Sequence, residues 1–424
     1  METLRFLMVT SFYPPHHLGG DAVHVQYLSE ALAARGHEVH VEYSPAAYGL
    51  KRPLSSPATS EHAGRVQVHP MTRTARVSSP LAAYLLGQSH AVSRFHEKLV
   101  RDVKPDVVHL HNISLLGLGV QRETQGRPLL YTAHDYWFRC PRSDLLKGGR
   151  EPCESPSCLS CMVRSRRVPP LWRGADIAPR MDKVQCVIAP SLFMKGLAAA
   201  SFPCPVVHIP NFVPDENPSG EVGPGSSYFL YAGVLETHKG LDGLAEAASQ
   251  YRGTKRFVLV GRGSEEGRLL ERAAQPGSRL EVRPWADRRT LSALYKEAAA
   301  FLIPSICFEN APLAAIEALS WGVPLLTTSR GGASELLQGG SAGYSFEPNA
   351  LEISRVLRTF DSLPEPSKLR RAARSAFETH HLPQVYLSRY LALVQTLVIG
   401  DPKGIAGRMD GTNPPGTQAV IQEA

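Results

Sequence analysis

The sequence predicts an α/β protein with two doubly wound, Rossmann-like domains that face each other across a cleft. Three observations lead to this fold class. The chain has 424 residues, which is too long for one ordinary core. Short apolar runs of strand length alternate with helical patterns along most of it, as in parallel βαβ units. A stretch rich in Pro, Gly and Ser, "FVPDENPSGEVGPGSS", divides this alternation into two series.

The first series, residues 1–210, is the predicted N-terminal domain. It opens with the strand "LRFLMVT" and the loop "SFYPPHHLGG". A helix follows, with Val25, Leu28 and Leu32 on its buried stripe, and it ends at Gly36. Further strands are predicted at "HEVHVEY", "RVQVHP", "PDVVHLHN", "RPLLYTAHD", "CVIAPS" and "PVVHIPN". We therefore expect a parallel sheet with helices on both faces.

The second series, residues 211–398, repeats the pattern and is the predicted C-terminal domain. Its strands are expected at "YFLYAGV", "RFVLVGRG", "RLEVRPW", "AAFLIPS", "VPLLTTS" and "AGYSFEP". Helices rich in Arg, Ala and Leu follow, and the last of them could pack back on the N-terminal domain. Residues 399–424 are rich in Gly and Pro with few apolar side chains, which predicts a disordered tail.

Composition and charge limit the class of protein. The formal net charge of +7 is mild and suits anionic ligands or an anionic membrane surface. No nucleic-acid motif is present, so no nucleic-acid partner is predicted. No apolar run reaches about 18 residues, and the opening "METLRFLMVTSFYPP" lacks the apolar core of a signal peptide. We expect a cytoplasmic chain, with peripheral attachment to the inner face of the membrane left open.

Two carboxylates stand out in "ENAPLAAIE", a segment that is otherwise apolar or small. An unpaired buried carboxylate is costly, so polar partners must meet them. Pro312 is expected in a first helical turn, which puts Glu309 in the preceding loop and Glu317 in the helix. If the whole segment were helical, Glu309 and Glu317 would be ~12 Å apart along the helix axis. This layout suits the two ends of a nucleotide sugar, with its phosphates at the helix N-terminus. The alternative is a solvated loop Glu and a helix Glu paired with an Arg.

Several segments carry a family resemblance. "FLIPSICFENAPLAAIEALSWGVPLLTTSRGGASELL" resembles the signature segment of the retaining glycosyltransferases of family 4, which have the GT-B fold. The E-x7-E spacing, "EALSWGVP" and the "GG" before Glu335 all match. "GGDAVHVQYLSEALAARGHEVHV", "YTAHDYW" and "AGVLETHKGLDGLAEA" resemble the family's N-terminal, middle and phosphate segments. The resemblance spans roughly residues 4 to 395 and implies transfer of a hexosyl unit from a nucleotide-diphosphate sugar, with retained anomeric configuration.

The resemblance also implies roles for the matched residues. Glu309 would contact the donor sugar and support the reacting centre, and His134 would hydrogen-bond the transferred sugar or help the departing phosphate. The implied donor-binding residues are Gly19, Gly20, Lys239, Arg262, Asn310, Leu313 and Glu317. Within this set Lys239 would neutralise the pyrophosphate and Glu317 would bind the ribose hydroxyls. Without the resemblance, the two glycines indicate a plain turn and His134 a structural histidine.

One position departs from the family pattern. Relatives have an Arg at the start of the phosphate segment, but "GVLETHKG" has Val234 there, while Lys239 keeps its place. Arg262 and Arg330 both follow predicted strands at the cleft side and are candidates for the missing cation. We favour Arg262, because it opens a helix where phosphate is already stabilised.

Four cysteines form a second cluster. Cys140, Cys153, Cys158 and Cys161 have the spacing C-x12-C-x4-C-x2-C, directly after "HDYWFR". In a cytoplasmic chain this pattern favours a structural zinc ion that holds a loop with little apolar content. An iron–sulfur cluster is the alternative ligand, and free thiols remain open. No Asp-x-Asp motif is evident, so no catalytic metal is expected.

A basic segment, "MVRSRRVPPLWRGADIAPRMDK", follows the cysteines. It contains Arg164, Arg166, Arg167 and Arg173 beside Trp172. It could contact an anionic or lipid-linked acceptor or a membrane surface. The alternative is a solvated basic face of the N-terminal domain.

The acceptor stays open at this stage. A carbohydrate, a lipid-linked sugar or a natural product would each fit, in the synthesis of cell-envelope polysaccharide, glycolipid or natural-product glycosides. A nicotinamide-dependent oxidoreductase is disfavoured, because the third Gly of "GRGSEEG" comes one residue too late. A non-catalytic sugar-nucleotide-binding relative is the remaining alternative. Such a protein could lose His134 or Glu309, and both are present.

Overall fold

The structure is a computed structural model that describes residues 2–52, 62–63, 65–71, 78–170, 172–223 and 227–400. The tail predicted to be disordered lies outside the described residues from position 401 onward.

The N-terminal sheet has eight strands in the order β10-β9-β6-β5-β1-β2-β4-β3. The strands are β1 (Arg5–Thr10), β2 (Glu38–Tyr43), β3 (His62–Ala63), β4 (Val66–Pro70), β5 (Val107–Leu110), β6 (Leu129–Thr132), β9 (Cys186–Ala189) and β10 (Val206–His208). All are parallel except β3, which pairs antiparallel with β4. The seven predicted strands are confirmed, and β3 is an addition at the edge.

The C-terminal sheet has six parallel strands in the order β13-β12-β11-β14-β15-β16. They are β11 (Tyr228–Ala232), β12 (Arg256–Val260), β13 (Leu280–Arg283), β14 (Ala298–Ile303), β15 (Leu325–Thr328) and β16 (Gly343–Phe346). All six were predicted. Three α-helices and two strands separate β11 from β14 in the chain, yet the two strands are neighbours in the sheet. The loops that follow these two strands therefore lie next to each other at the carboxyl edge of the sheet. Those loops carry Lys239 and Glu309.

Helices cover both sheets, as in doubly wound folds. Those of the N-terminal half are α1 (Gly20–Ala34), α2 (Pro45–Gly49), α3 (Ser78–Leu86), α4 (His90–Val103), α5 (Cys158–Arg164) and α6 (Leu192–Ala199). Those of the C-terminal half are α7 (Leu241–Gln250), α8 (Glu266–Ala273), α9 (Arg288–Glu297), α10 (Leu313–Ser320), α11 (Ala350–Asp361), α12 (Pro366–His380) and α13 (Pro383–Val398). In α1 the predicted stripe of Val25, Leu28 and Leu32 is fully buried.

The last helix, α13, crosses to the N-terminal half. The hydroxyl of Tyr390 lies 3.0 Å from Nδ1 of His109 on β5, and the ring of Tyr386 packs against Phe212 and His24. Both tyrosines are buried, so this contact ties the two halves together through apolar surface. Within the described residues, no helix is long and apolar enough to cross a membrane.

Candidate active site

A buried ion pair lies where the loops after β11 and β14 meet. Nζ of Lys239 is 2.7 Å from Oε1 of Glu309, and the two side chains are only 21% and 13% exposed. The hydroxyl of Ser305 donates to the same carboxylate oxygen. Burial alone would raise the pKa of Glu309, but the ammonium of Lys239 outweighs it and holds the pKa below its usual value. The cleft therefore contains a fixed carboxylate and a fixed cation side by side.

Two glycines allow the loops of this pair to approach so closely. Gly240 has φ +68°, and a Cβ there would lie 1.9 Å from the carbonyl oxygen of Pro304. Gly331 has φ +73°, and a Cβ there would lie 2.3 Å from the carbonyl oxygen of Glu309. The amides of Ile306 and Cys307 also donate to the carbonyl of His238. Any side chain at either glycine would separate the backbone segments that position Lys239 and Glu309.

Glu317 lies on α10, inside the helix as predicted, and its partners are phenols. Tyr295 donates to one carboxylate oxygen at 3.0 Å, and Tyr27 of α1 donates to the other at 3.4 Å. Burial raises the pKa of Glu317, although the two hydroxyls oppose this. The expected alternative, an Arg paired with Glu317, is not found among the described residues, where the guanidinium of Arg288 stacks on the Tyr27 ring instead.

Two helix N-termini converge beside the ion pair. Gly19 caps α1, which begins at Gly20, and α10 begins at Leu313 after Pro312. A Cβ on Gly20 would lie 3.5 Å from the Leu313 side chain, so these two helix ends are in near contact across the two halves. Helix N-termini present free N–H groups and partial positive charge. The exposed glycine pair leaves the backbone of α1 accessible to an anion.

Asn310 connects the two halves next to Glu309. Its Nδ2 donates to the carbonyls of Ala133 and His134 at 2.9 and 3.0 Å, and its Oδ1 accepts from Ser191 at 2.7 Å. The amide is thus engaged between the domains, and it fixes the position of His134 relative to Glu309. Its expected contact with the donor stays a prediction.

Glu335 makes a second connection that the sequence did not reveal. Its carboxylate accepts the backbone N–H groups of Leu192 and Phe193 at 2.7 and 2.8 Å, which are the first two residues of α6. A carboxylate at this end of a helix satisfies free donors and the helix dipole. The family signature drew attention to Glu335, but only the folded chain shows that it caps a helix of the other half.

His134 follows β6, and its backbone carbonyl accepts a hydrogen bond from Asn310, the residue after Glu309. Its Nε2 lies 3.0 Å from Nδ1 of His111, and its ring packs 5.2 Å from that of His24. Burial lowers the pKa of His134 to about 3, so the imidazole is neutral at neutral pH. It can hydrogen-bond a sugar hydroxyl through Nδ1, but it does not offer a positive charge to a phosphate.

Comparison with known proteins identifies the domains. Residues 18–217 match the family described as Glycosyltransferase Family 4, and residues 214–377 match glycosyl transferases group 1. Sucrose-phosphate synthase from Thermosynechococcus elongatus has the same fold, with a TM-score of 0.68 over 93% of this chain and 99% of its own, at 16% identity. The two domains are those of a GT-B glycosyltransferase.

Further relatives of this glycosyltransferase differ in their names. Glycogen synthase from Mycobacterium tuberculosis strain H37Rv is 28% identical over 404 residues, 88% of this chain and 89% of the relative. An uncharacterized 42.6 kDa protein in the cps region of Klebsiella pneumoniae is 22% identical and covers 91% of this chain and 100% of its own. HepE from Anabaena, in complex with UDP, superposes with a TM-score of 0.65 over 93% of this chain and 100% of its own, at 16% identity.

Asp135 is a candidate site residue that sequence reasoning missed. It follows His134, and its Oδ1 accepts the backbone N–H of Trp137 at 2.8 Å. Burial raises the pKa of Asp135 to about 7, with a smaller contribution from the charge of Asp21. A carboxyl that titrates near neutrality in a cleft is a candidate for handling an acceptor hydroxyl. The quoted motif "YTAHDYW" contained this residue, but sequence alone could not show its burial.

Asp135 predicts a pH-dependent stability. The pKa of about 7 in the folded chain exceeds that of an unfolded aspartate, about 3.9, so the native state holds more protons between these values. Stability from this residue is therefore full at low pH and is lost as the pH rises toward 7. Asp135→Asn keeps the acceptor for Trp137 and removes the titration. In thermal unfolding, the Tm of the variant relative to that of the wild type should therefore rise from about pH 5 to about pH 8. The same Tm difference at both pH values would contradict the assignment.

The two candidate replacement cations occupy different environments. Arg262 is exposed, and its side chain has no partner in the part of the chain that the structure describes. Arg330 is partly buried, and its Nη1 donates at 2.9 Å to the carbonyl of Ile306, in the loop that carries Glu309. The structure brings Arg330 to this loop, whereas the preference for Arg262 stays a prediction. Val234 contributes only its backbone there, as an acceptor for the hydroxyl of Tyr231.

The four cysteines lie in a small unit built on the hairpin β7 (Leu146–Lys147) and β8 (Glu151–Pro152) and on α5. Burial and then the neighbouring Cys140 raise the pKa values of Cys153 and Cys158, so the thiols are near one another. The amide of Gly148 donates to Sγ of Cys161 at 3.2 Å. Across the described ranges, however, no three His, Cys, Asp or Glu side chains converge as a metal site. As placed, the thiols do not fit a bound ion without moving closer together.

Proposed function

We propose that the glycosyltransferase moves a hexosyl unit from a nucleotide-diphosphate sugar to an acceptor hydroxyl, with retention of anomeric configuration. The observation that carries this proposal is the Lys239–Glu309 pair, with Nζ and Oε1 2.7 Å apart at the convergence of two helix N-termini. Cation, carboxylate and free helix N–H groups together match a diphosphate joined to a sugar.

The donor would lie along the start of α10. Lys239 would neutralise the diphosphate, with the N-termini of α1 and α10 adding backbone donors. Glu317 would accept the ribose hydroxyls, which would replace or join the phenols of Tyr27 and Tyr295. Since one of these phenols belongs to the N-terminal half, donor binding and domain closure would be coupled at Glu317.

The chemistry would proceed on one face of the sugar. The bond between the anomeric carbon and the diphosphate oxygen breaks, the acceptor oxygen bonds to the same face, and the acceptor proton passes to the departing phosphate. Glu309 would support the positive charge that develops at the anomeric carbon, and Lys239 would stabilise the leaving diphosphate. Neutral His134 would hold a sugar hydroxyl, so the protein acts mainly through position and electrostatics.

The acceptor is proposed as a sugar of a cell-envelope polysaccharide, with a glycolipid or natural product as the other acceptor types. The Klebsiella pneumoniae relative comes from a cps region, which supports the first type. HepE has been solved with UDP and glucose, and starch synthase IV from Arabidopsis thaliana with ADP and acarbose. A nucleotide sugar as donor is consistent with both.

The experiment is a screen of UDP-, GDP- and ADP-hexoses with and without sugar acceptors. Transfer or slow hydrolysis that releases the nucleoside diphosphate, with a product of the donor's anomeric configuration by NMR, would support the proposal. A product of inverted configuration would overturn the retaining mechanism. Binding of a donor without either reaction would instead favour a non-catalytic sugar-nucleotide-binding protein.

Replacing Glu317 is expected to weaken donor binding more than turnover. Glu317→Ala removes the acceptor of the ribose hydroxyls and leaves Tyr295 without its partner, at a cost of ~1–3 kcal/mol in donor affinity. Titration calorimetry measures the change. Glu297→Ala, at the exposed end of α9, is the matched control and should bind donor like the wild type. Unchanged affinity in Glu317→Ala would remove this residue from the donor site.

The cysteine unit is proposed to take a structural zinc ion, with an iron–sulfur cluster as the alternative. The four thiols belong to one small unit and Cys161 accepts an amide N–H, which supports this proposal, and binding of the ion would draw the thiols closer together. Elemental analysis should find about one metal per chain at a four-cysteine site. Cys158→Ser should lose the metal, and Cys204→Ser, outside the unit, should retain it. Absence of zinc and iron together with freely titratable thiols would contradict the proposal.

A further inference from the structure

The N-terminal half carries a face of exposed aliphatic side chains that the transfer reaction does not use. Leu86, Leu159, Val163 and Val168 are 66%, 62%, 61% and 65% exposed. Among the described residues of the N-terminal half, the exposed large apolar side chains all lie between positions 81 and 168. Scattered exposed apolar residues are ordinary, but a cluster marks an interaction surface.

Three of these side chains, those of Leu159, Val163 and Val168, lie on α5 and the segment directly after it. Leu159 and Val163 are four apart on α5, so they project from the same side of that helix. The hydroxyl of Tyr84 on α3 donates to the carbonyl of Val168, which joins the helix of Leu86 to the segment after α5. Trp172 further fixes this junction by donating from Nε1 to the carbonyl of Tyr84 at 2.8 Å.

The same face is basic. Arg164 ends α5, Arg167 follows it, and both are exposed without a carboxylate partner within the described ranges. Burial and then the charge of Arg167 lower the pKa of Lys51, so a third cation is close by. The segments 62–96 and 155–175 contain no Asp or Glu at all. A basic surface without acidic neighbours attracts an anionic partner.

We propose that this face, defined by Leu159, Val163, Val168, Arg164 and Arg167, docks on the surface of an anionic lipid bilayer. Aliphatic side chains enter the region between headgroups and acyl chains, and the Arg side chains bind lipid phosphates. The face exposes Leu and Val rather than the Trp and Tyr that dominate protein interfaces. Charge complementarity and side-chain type therefore favour a bilayer over a protein partner or a second copy.

The face is connected to the acceptor side of the cleft. Arg173 lies over the rings of Trp172 and Trp137, and its Nη2 donates to the carbonyl of Trp137 at 2.6 Å. Trp137 comes three residues after His134. Docking itself does not depend on the transfer reaction, so it can be tested without donor or acceptor.

The test is co-sedimentation of the full chain with vesicles of phosphatidylcholine, alone or mixed with phosphatidylglycerol. The wild type should bind the mixed vesicles and not the neutral ones, and salt should weaken binding. Arg164→Glu with Arg167→Glu should weaken binding at least ~25-fold, about five-fold for each basic residue lost near an anionic surface. Leu159→Ser with Val163→Ser should weaken it at least about ten-fold.

Two controls carry the same changes on the C-terminal half. Leu351→Ser removes a side chain that is 72% exposed, and Arg371→Glu reverses an exposed charge on α12. Both should bind vesicles like the wild type. All variants should have the Tm and the donor affinity of the wild type. Equal binding to neutral and anionic vesicles, no binding at all, or equal losses in the controls would overturn the proposal. If the wild type were a dimer and the variants of this face were monomers, the face would be assigned to a second copy of the chain instead.

Discussion

Glu309→Gln is expected to abolish transfer while the chain stays folded. Gln can still accept from Ser305 and Lys239, so the packing of the loop is kept, but the negative charge beside the anomeric carbon is lost. Loss of one fixed electrostatic contact at a reacting centre costs ~10²–10³-fold in kcat. Steady-state release of nucleoside diphosphate measures this, and circular dichroism checks the fold.

The structure changes the stability expected of this variant. Glu309 lies in a loop, as predicted, but its side chain is only 13% exposed and balances Lys239. Removing the charge leaves that ammonium with a hydrogen-bond acceptor but no counter-charge, so a moderate fall in Tm should accompany the loss of activity. Glu352→Gln, in the first turn of α11, makes the same chemical change and should alter neither quantity, because its solvent-screened pair with Arg355 contributes little. A Glu309→Gln variant with the wild-type rate would refute our assignment of the motif.

Lys239→Ala is expected to reduce both turnover and donor affinity strongly. In this chain Val234 occupies the position of the usual second cation, so Lys239 is the main charge held beside Glu309 for the diphosphate. Removing it deprives both bound donor and leaving group of their counter-charge, and we expect at least a ~10²-fold loss in kcat/KM. It also leaves Glu309 as a buried unpaired carboxylate, so its pKa should rise.

Comparison with Arg330→Ala and Arg262→Ala shows which cation assists Lys239. The sequence favours Arg262, but only Arg330 contacts the loop of Glu309 in the folded chain, so we now expect Arg330→Ala to cause the larger loss. Because Lys239 and Glu309 are in contact, Lys239→Ala with Glu309→Gln should cost less than the two single losses combined. A silent Lys239→Ala would indicate a catalytically altered relative.

The strands could be predicted because each is a short apolar run that obeys local rules. Largely buried runs such as "LRFLMVT" and "AAFLIPS" are recognisable as strands from their apolar composition. The positions of the loops after them can then be inferred. The short hairpin in the cysteine unit was missed, because two-residue strands such as Leu146–Lys147 leave no pattern. The hydrogen-bonded pairing of these two strands depends on turns and neighbouring side chains rather than on apolar alternation.

The candidate site was predictable only in part, because its connections join distant residues. The presence of Lys239 and Glu309 in one donor site could be expected from the family resemblance, but their direct ion pair could not. The engagement of Asn310 with His134 and the cap that Glu335 makes on α6 could not, since sequence does not show which surfaces of two domains meet. Burial decides the charge states of Asp135 and His134, and burial belongs to the folded chain.

The most direct test of the account is calorimetric titration of the wild type and Lys239→Ala with UDP-, GDP- and ADP-hexoses. The account predicts that one nucleotide class binds the wild type, that its nucleoside diphosphate also binds, and that both affinities fall at least ~10-fold in Lys239→Ala through loss of a charge-assisted contact. If no nucleotide sugar binds, or if one binds both proteins equally, the cleft at Lys239 and Glu309 is not the donor site.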